Sequence, residues 1–265
     1  MTDAFERILS FVETELSFAT SHYNDDYLDR RISSRIRRTE SDGYAEYYER
    51  LQTDPAEHRA LLESMSINVT GFFRNPEVWA GIRAIVRELA SDAGQLRIWS
   101  AACADGREPY SISMLVHDDQ AIDPASVEIL ATDISEPALE TARRGVYTGS
   151  RTADIDDQLQ FIDEYTDYVD VQEGTYTITD QIKRLVSFER HDLITDDPIP
   201  GFDLIVCRNV LIYIDAEHKR PMLETLSKSL RSGGYLVIGK AETIPPGLDT
   251  SFCTLEPRLR MYSRR

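Results

Sequence analysis

From residue 96 onward, short runs rich in β-branched and aromatic residues alternate with stretches that carry a helical pattern. The β-rich runs are LRIWSA (96–101), VEILATD (127–133), LVSFERHD (185–192), FDLIVCRN (202–209) and GYLVIGKAE (234–242). Helical patterns lie between most of them, at residues 107–118, 135–144 and 215–231. Such alternation is typical of βαβ units. It predicts an α/β fold with a mostly parallel sheet and helices on both faces.

One connection is too long for this pattern. About 40 residues separate Arg144 from Leu185, whereas connections in such units usually have roughly 2–6 residues. Within it, YVDVQEGTYTIT (168–179) reads as two strands around a Glu-Gly turn. We therefore predict a small antiparallel β insertion at about residues 145–184. The final SFCTLEPRLRMYSRR (251–265) predicts one or two further antiparallel strands that close the sheet.

The N-terminal part has a different texture. Phe5, Ile8, Leu9, Val12 and Leu16 recur at helical spacing. Leu28, Ile32 and Ile36 do the same and form the apolar face of a second predicted helix. This predicts a small all-helical domain that, with a linker, spans residues 1–75. Residues 76–265 are then the α/β domain with its insertion. A new helix is predicted to start at NPEV (75–78), with Asn75 as its N-cap and Pro76 in its first turn.

Composition and charge restrict the class of protein. The chain is 42% hydrophobic and has a formal net charge of -17, so it has enough apolar residues for a core but no general basic face for phosphates. It has no long apolar run and no signal-peptide pattern at MTDAFERILS. These features predict a cytoplasmic protein without membrane insertion or a nucleic-acid partner. Only four of its 29 basic residues are lysines and 46 residues are acidic, a composition that favours a halophilic source.

Polar residues follow the predicted strands where a ligand would bind. In open parallel sheets, ligands bind beyond the carboxyl ends of the strands. The first strand is followed by small residues, Gly106 and then Glu108, without the GxGxxG pattern of dinucleotide sites. Asp133 ends the second strand, where an acidic residue commonly holds the ribose hydroxyls of an adenosine ligand. Alternatively it caps the next helix, and the spacing alone does not decide between the two.

Several motifs occur together in one order. They are NVTGFFRN, WSAACADGREPYSI, ILATDIS, RHDLI, FDLIVCRNVLIYID and SGGYLVIGKAE. With these motifs in this order, the chain resembles the CheR-type chemotaxis receptor methyltransferases over nearly its whole length. The resemblance implies a Rossmann-like S-adenosylmethionine-dependent methyltransferase sheet. It also implies an enzyme that methylates glutamate side chains on the cytoplasmic coiled coils of chemoreceptors. The alternatives are a methyltransferase acting on RNA or a small molecule, and a non-catalytic module that binds the cofactor for docking or sensing.

The resemblance also assigns site residues. It places cofactor contacts on Asn68, Thr70, Arg74, Glu108, Asp133, Asp192, Leu193, Arg208 and Asn209. Arg74 and Tyr213 would flank the methyl group and act as catalytic residues. The chain departs from the family at Arg107, where an acidic or amide residue is usual, and at GKAE (239–242), where GHSE is usual.

The chemistry that the resemblance implies needs neither a metal nor a general base. A glutamate carboxylate is already ionised near pH 7, because its unperturbed pKa is about 4.3. The five histidines form no cluster in the sequence, in agreement with this expectation. The enzyme must instead align the carboxylate with the methyl group, a task for which a guanidinium is suited.

A dense run of arginines stands out in this acidic chain. The segment YLDRRISSRIRRTE (27–40) contains Arg30, Arg31, Arg35, Arg37 and Arg38. On a helix they lie beside an apolar face, so they are either a solvated face paired with the protein's own carboxylates or a docking surface. We favour docking of the acidic receptor helix, because a basic patch would raise the rate of association with it.

Overall fold

The structure is a computed structural model, and it describes residues 3–16, 18–65, 70–92, 94–149, 154–245 and 247–265. The chain forms two compact units. One comprises residues 1–67 with 212–219, and the other residues 68–211 with 220–265. We call them the helical unit and the sheet unit. The predicted domain ranges 1–75 and 76–265 stay a prediction, because compactness alone does not define an independently folding domain.

The helical unit has the all-α character that the sequence predicts. Its helices are α1 (Asp3–Glu15), α2 (Asp25–Arg38), α3 (Tyr44–Thr53) and α4 (Pro55–Met65). Asn24 caps α2 by accepting a hydrogen bond from the Tyr27 backbone N–H at 2.9 Å. The basic residues in the last turn of α2 favourably oppose the helix dipole. Leu28 and Ile32 of the predicted apolar face are fully buried in the core of this unit.

The sheet unit contains the remaining elements. Its strands are β1 (Leu96–Ala101), β2 (Val127–Asp133), β3 (Val146–Thr148), β4 (Val169–Gln172), β5 (Thr175–Ile178), β6 (Val186–Arg190), β7 (Phe202–Cys207), β8 (Leu230–Ile238), β9 (Phe252–Glu256) and β10 (Met261–Arg264). Its helices are α5 (Pro76–Asp92), α6 (Arg107–Asp118), α7 (Glu136–Arg144), α8 (Ile155–Leu159), α9 (Asp180–Lys183) and α10 (Ala216–Ser229), whose first turn is grouped with the helical unit.

Seven strands form the main sheet in the order β6-β2-β1-β7-β8-β10-β9. The first five are parallel, and β10 and β9 add two antiparallel strands at one edge. Both predictions, the parallel sheet and the closing hairpin, are confirmed. The strand order reverses between β1 and β7, so a ligand is expected to bind beyond the carboxyl ends of β1, β2 and β7.

The predicted insertion is a separate three-stranded antiparallel sheet in the order β3-β5-β4. Its hairpin turns at Glu173 and Gly174, both of which have positive φ angles, 48° and 76°. Two adjacent residues with positive φ angles are typical of a tight hairpin turn. Tyr147 and Tyr176 pair across β3 and β5 and are buried, which anchors one face of the small sheet.

The structure corrects the predicted ends of several elements. β7 ends at Cys207, so Arg208 and Asn209 lie in the loop beyond it. β8 begins at Leu230, earlier than predicted, and ends at Ile238. The side chain of Asn75, the predicted N-cap of α5, instead accepts a hydrogen bond from Arg208 Nη2 at 3.0 Å.

Candidate active site

The loop after β1, residues 102–106, lies at the carboxyl end of the sheet and has an unusual backbone conformation. Ala102, Ala104 and Gly106 have positive φ angles of 59°, 51° and 89°. A Cβ on Gly106 would lie 2.7 Å from the Cβ of Ala142, so this position requires glycine for both space and conformation. The side chains of Ala102, Ala104 and Gly106 are small, which favours close approach of a ligand to the loop backbone.

Asp133 stands at the end of β2, beside this loop. Its Oδ2 accepts a hydrogen bond from Ala104 N at 2.8 Å, and its Oδ1 accepts one from Ser135 N at 2.9 Å. Ser135 is the N-cap of α7, so the structure rules out the alternative in which Asp133 caps that helix. Burial raises the pKa of Asp133. Each carboxylate oxygen keeps a lone pair that can accept from a ribose hydroxyl.

Arg74 lies on a strained turn, residues 72–75, which we call the Arg74 turn. Phe73 and Asn75 have φ angles of 43° and 61°, which are unfavourable for residues with a side chain. The turn persists because side chains from several elements hold its backbone. Phe72 N donates to Gln158 Oε1 at 2.9 Å and Phe73 N to Ser111 Oγ at 3.1 Å.

The carbonyl of Arg74 has two donors. Trp79 Nε1 donates to it at 3.0 Å, and Arg208 Nη2 donates to it at 2.9 Å. The side chain of Arg208 is only 2% exposed and its guanidinium lies 5.8 Å from the centre of the Trp79 ring. Arg208 therefore holds the backbone of Arg74 from inside the protein.

Arg208 also faces Glu108. Its Nη1 lies 3.7 Å from Glu108 Oε2, while Ser100 Oγ donates to Glu108 Oε1 at 3.0 Å. Burial raises the pKa of Glu108 to about 7, although Arg208 and Ser100 favour its ionised form. Glu108, in the first turn of α6, thus connects Ser100 of β1 to the Arg74 turn through Arg208.

The loop after β7 is held by Glu242. Glu242 Oε2 accepts hydrogen bonds from Asn209 N at 3.1 Å and from Gly239 N. Asn209 has a φ of 63°, and a Cβ on Gly239 would lie 2.8 Å from its amide nitrogen. The glycine and the glutamate of GKAE therefore fix the backbone of Asn209, which explains why both belong to the motif.

The remaining predicted cofactor residues lie at the same end of the sheet unit. Asp192 and Leu193 follow β6 and are mostly buried, and Asp192 Oδ1 accepts from Ile194 N at 2.9 Å. The carbonyl of Thr70 accepts from Arg107 Nη1 at 3.2 Å. Arg107, the residue that departs from the family pattern, thus supports the backbone of Thr70. Asn68 lies outside the described residues.

Tyr213, the second predicted catalytic residue, belongs to the helical unit. Its ring packs on that of Tyr27 at 4.8 Å, and its carbonyl accepts from Asn24 N at 3.0 Å. Arg74 belongs to the sheet unit. The catalytic role of Tyr213 stays a prediction.

The arginines of α2 are not equivalent. Arg35 donates from Nε and Nη2 to the two carboxylate oxygens of the buried Glu57, at 2.8 and 2.6 Å, which corrects its assignment to an open docking surface. Arg30, Arg37 and Arg38 are exposed, and Arg31 lies over the ring of Tyr27 at 5.0 Å. The docking prediction therefore concerns these four side chains.

Sequence reasoning missed the residues that hold the Arg74 turn. The side chains of Gln158, Ser111 and Trp79 form hydrogen bonds with the backbone of the turn, and no local pattern identifies such contacts. Ser111 stands in EPYS and Glu242 in GKAE, so the motifs contained two supporting residues without revealing their partners.

Among the residues that the structure describes, no group of three or more histidine, cysteine, aspartate or glutamate side chains could hold a metal ion. Over the same ranges, no helix is long and apolar enough to cross a membrane.

Comparisons with known proteins show the family of the chain. Residues 68–259 match the family model described as CheR methyltransferase, SAM binding domain, and residues 3–66 match CheR methyltransferase, all-alpha domain. The "Chemotaxis protein methyltransferase" of Listeria monocytogenes is 35% identical over 92% of this chain and 91% of that protein. The "Probable chemotaxis protein methyltransferase" of Rhizobium etli is 34% identical over 81% of this chain and 82% of that protein. The "Probable biofilm formation methyltransferase WspC" of Pseudomonas aeruginosa is 32% identical over 91% of this chain and 57% of that protein.

The fold and the site define an S-adenosylmethionine-dependent methyltransferase with an all-α domain. The chain belongs to the CheR methyltransferase family, in which relatives carry the name chemotaxis protein methyltransferase. The predicted fold class, family and enzyme class are confirmed, and the non-catalytic module is not favoured.

Proposed function

We propose that this enzyme transfers a methyl group from S-adenosylmethionine to glutamate side chains on the cytoplasmic coiled coil of a chemoreceptor, which forms glutamate methyl esters. The observation that carries the proposal is the Arg74 turn. It presents an arginine from a strained backbone that several elements hold, beside the loop that follows β1. A protein retains such strain where a side chain must be held in one position.

The sheet unit fits the cofactor. The small residues of the loop 102–106 and the carboxylate of Asp133 suit an adenosine whose ribose hydroxyls need an acceptor. We assign further contacts to Asn68, Thr70, Glu108, Asp192, Leu193 and Asn209. Arg208 would act on the cofactor site through the backbone of Arg74, since its own side chain is almost fully buried. The bound cofactor supplies an electrophilic methyl group on a sulfonium.

Arg74 would orient the substrate. A glutamate carboxylate is ionised near pH 7 and has to lose water and align with the methyl group. The Arg74 guanidinium can hold one carboxylate oxygen while the other attacks. Positioning of this kind can lower the barrier by about 7–11 kcal/mol in favourable cases. Tyr213 is proposed to pack beside the methyl group or donate a hydrogen bond there.

The helical unit is proposed to bind the substrate helix. A receptor segment that offers glutamates is locally acidic, and the enzyme itself has a net charge of -17. Arg30, Arg31, Arg37 and Arg38 would overcome this repulsion at one surface and raise the association rate. Because the methylated part of the receptor is cytoplasmic, we propose the same location for the enzyme.

The test is transfer of labelled methyl from S-adenosylmethionine to a purified chemoreceptor cytoplasmic fragment, followed by mild alkali. A carboxyl ester releases labelled methanol, whereas an N-methyl group does not. We expect alkali-labile label with the wild type and at least about 10³-fold less with Arg74→Ala. Arg258→Ala, which removes an exposed arginine of the sheet unit, is the matched control and should retain full activity.

Two outcomes would contradict the proposal. Binding of S-adenosylmethionine without transfer to the receptor fragment would indicate a non-catalytic module or another substrate. Alkali-stable label would indicate methylation of nitrogen instead of a carboxylate. Full activity of Arg74→Ala would leave the reaction intact but remove the proposed role of this arginine.

A further inference from the structure

The β insertion contacts the Arg74 turn through one polar side chain. Gln158 lies on α8, between β3 and β4, and its Oε1 accepts the hydrogen bond from Phe72 N at 2.9 Å. The approach is close, because a Cβ on Gly71 would lie 2.9 Å from the same oxygen. The ring of Phe161 stacks on that of Phe73 at 4.8 Å. The insertion thus meets the turn at two consecutive residues.

We propose that Gln158 is a positioning residue for methyl transfer, which it supports by fixing the Arg74 turn from the side of the insertion. The proposal rests on the proposed function, in which Arg74 orients the substrate carboxylate. It gives the insertion a part in the reaction itself.

The buried environment makes this hydrogen bond necessary. Phe72 is 1% exposed, so its N–H loses access to water as well as its partner if Gln158 is replaced by an apolar residue. An unsatisfied buried donor is unfavourable, and the backbone will move to satisfy it. Phe73, the next residue, has the strained φ of 43°, and relief of that strain favours the same movement.

The contacts on the two sides of the turn are complementary. Trp79 and Arg208 hold the carbonyl of Arg74, and Ser111 holds the N–H of Phe73. Without Gln158, Phe73 and Arg74 keep their hydrogen bonds, but Phe72, the first residue of the turn, loses its own. Arg74 would then remain near its position but sample a wider range, which reduces the fraction of molecules with the guanidinium aligned for transfer.

Three variants separate positioning from packing. Gln158→Met keeps the length of the side chain and removes the acceptor, whereas Gln158→Glu keeps an acceptor oxygen. Gln160→Met changes an exposed glutamine at the end of α8 and is the matched control. Steady-state methylation of the receptor fragment gives kcat and KM. Amide hydrogen exchange of residues 70–75 in the absence of substrate measures the order of the turn.

We expect kcat of Gln158→Met to fall by about 10- to 100-fold, while KM for the receptor fragment changes by less than about twofold. Exchange at Phe72 should become at least about tenfold faster. Gln158→Glu should restore kcat to within about threefold of the wild type and restore slow exchange, and the control variant should match the wild type.

The proposal is overturned if Gln158→Met keeps wild-type kcat, or if Gln158→Glu is as impaired as Gln158→Met. A change confined to KM would make Gln158 a substrate contact. If the wild type does not methylate the receptor fragment, the proposed function fails, and unchanged exchange in Gln158→Met would still separately exclude the positioning role.

Discussion

Two buried arginine–glutamate pairs, one in each unit, differ in how their hydrogen bonds are distributed. In the helical unit, Arg35 and Glu57 are joined by two short hydrogen bonds, and Tyr47 donates a third to the same carboxylate at 2.6 Å. In the sheet unit, Arg208 lies 3.7 Å from Glu108 and donates instead to the carbonyl of Arg74. In the first pair the arginine donates both hydrogen bonds to its glutamate, whereas in the second the arginine donates to the backbone of Arg74.

The pKa values of the two carboxyls reflect this difference. Burial alone would raise the pKa of Glu57, but the hydrogen bonds from Arg35 and Tyr47 lower it below its usual value. Burial raises the pKa of Glu108 to about 7 because Arg208 compensates it incompletely. We infer that the Arg35–Glu57 pair stabilises the helical unit. The Arg208–Glu108 pair is less stable, but Arg208 fixes the Arg74 turn.

The largest expected effect is on catalysis by Arg208→Met. Loss of the hydrogen bonds to the Arg74 carbonyl and to Asn75 releases the turn, so kcat should fall by about 10³-fold, equivalent to about 4 kcal/mol. Adding Glu108→Gln removes the unpaired buried carboxylate and should restore stability but not activity. Recovery of kcat in this double variant would show that Arg208 serves charge balance alone.

The next effect is on stability. Arg35→Met leaves Glu57 buried without its partner, so we expect the free energy of unfolding to fall by about 3 kcal/mol. Urea unfolding measures this loss, and the folded fraction should keep wild-type kcat. The double variant Arg35→Met/Glu57→Met should recover much of the stability. A large loss of kcat in a stably folded Arg35→Met would contradict the division of roles.

A smaller effect appears in the dependence of stability on pH. Between pH 4.5 and about 7, native Glu108 retains a proton that the unfolded chain has released, so its contribution to stability falls as pH rises. Relative to the wild type, Glu108→Gln should therefore gain about 3 kcal/mol of unfolding free energy from pH 4.5 to pH 8. The measurement is urea unfolding of both proteins across this range.

Glu57→Gln is the contrasting control. The pKa of Glu57 is lowered in the native protein, so its contribution is present above the usual glutamate pKa and is lost as pH falls through the native value. The destabilisation by Glu57→Gln should thus persist at neutral pH and shrink in acid. Equal pH slopes for the two variants would show that the pairs are alike.

The smallest effect concerns docking. Arg37→Glu/Arg38→Glu reverses two exposed charges of α2 and should raise KM for the receptor fragment about fivefold at low salt, with kcat unchanged. The effect should shrink as salt screens the charges. Arg59→Glu, an exposed arginine on α4, is the control. Equal increases in KM for both would point to net charge instead of a docking surface.

Much of the sheet unit could be predicted because its signals are local. The alternation of strand and helix patterns placed β1, β2 and α6 at their observed bounds, and the Glu-Gly turn placed the hairpin of the insertion. Asp133 was found because parallel strands bring their carboxyl ends to one edge. Each of these inferences needs only a few neighbouring residues.

The supports of the site could not be predicted for the opposite reason. A phenylalanine gives no indication of a positive φ, since its intrinsic preference is against it, and tertiary contacts override that preference at Phe73. Nothing in the local sequence distinguishes Arg35 from Arg37 or Arg38, although only Arg35 meets Glu57. Pairings of this kind depend on the assembled fold.

The Arg74 turn also has a consequence for the order in which the protein forms. Two of its four anchors lie far along the chain, 86 residues away at Gln158 and 134 residues away at Arg208. During synthesis, the segment that carries Arg74 leaves the ribosome long before either of these two exists. Trp79 and Ser111 can hold the turn earlier, but all four anchors are in place only after the insertion and β7 have been made. A nascent chain that has formed only its first strands therefore carries Arg74 on an incompletely held turn, and we expect full alignment of this arginine only when nearly all of the sheet unit has folded.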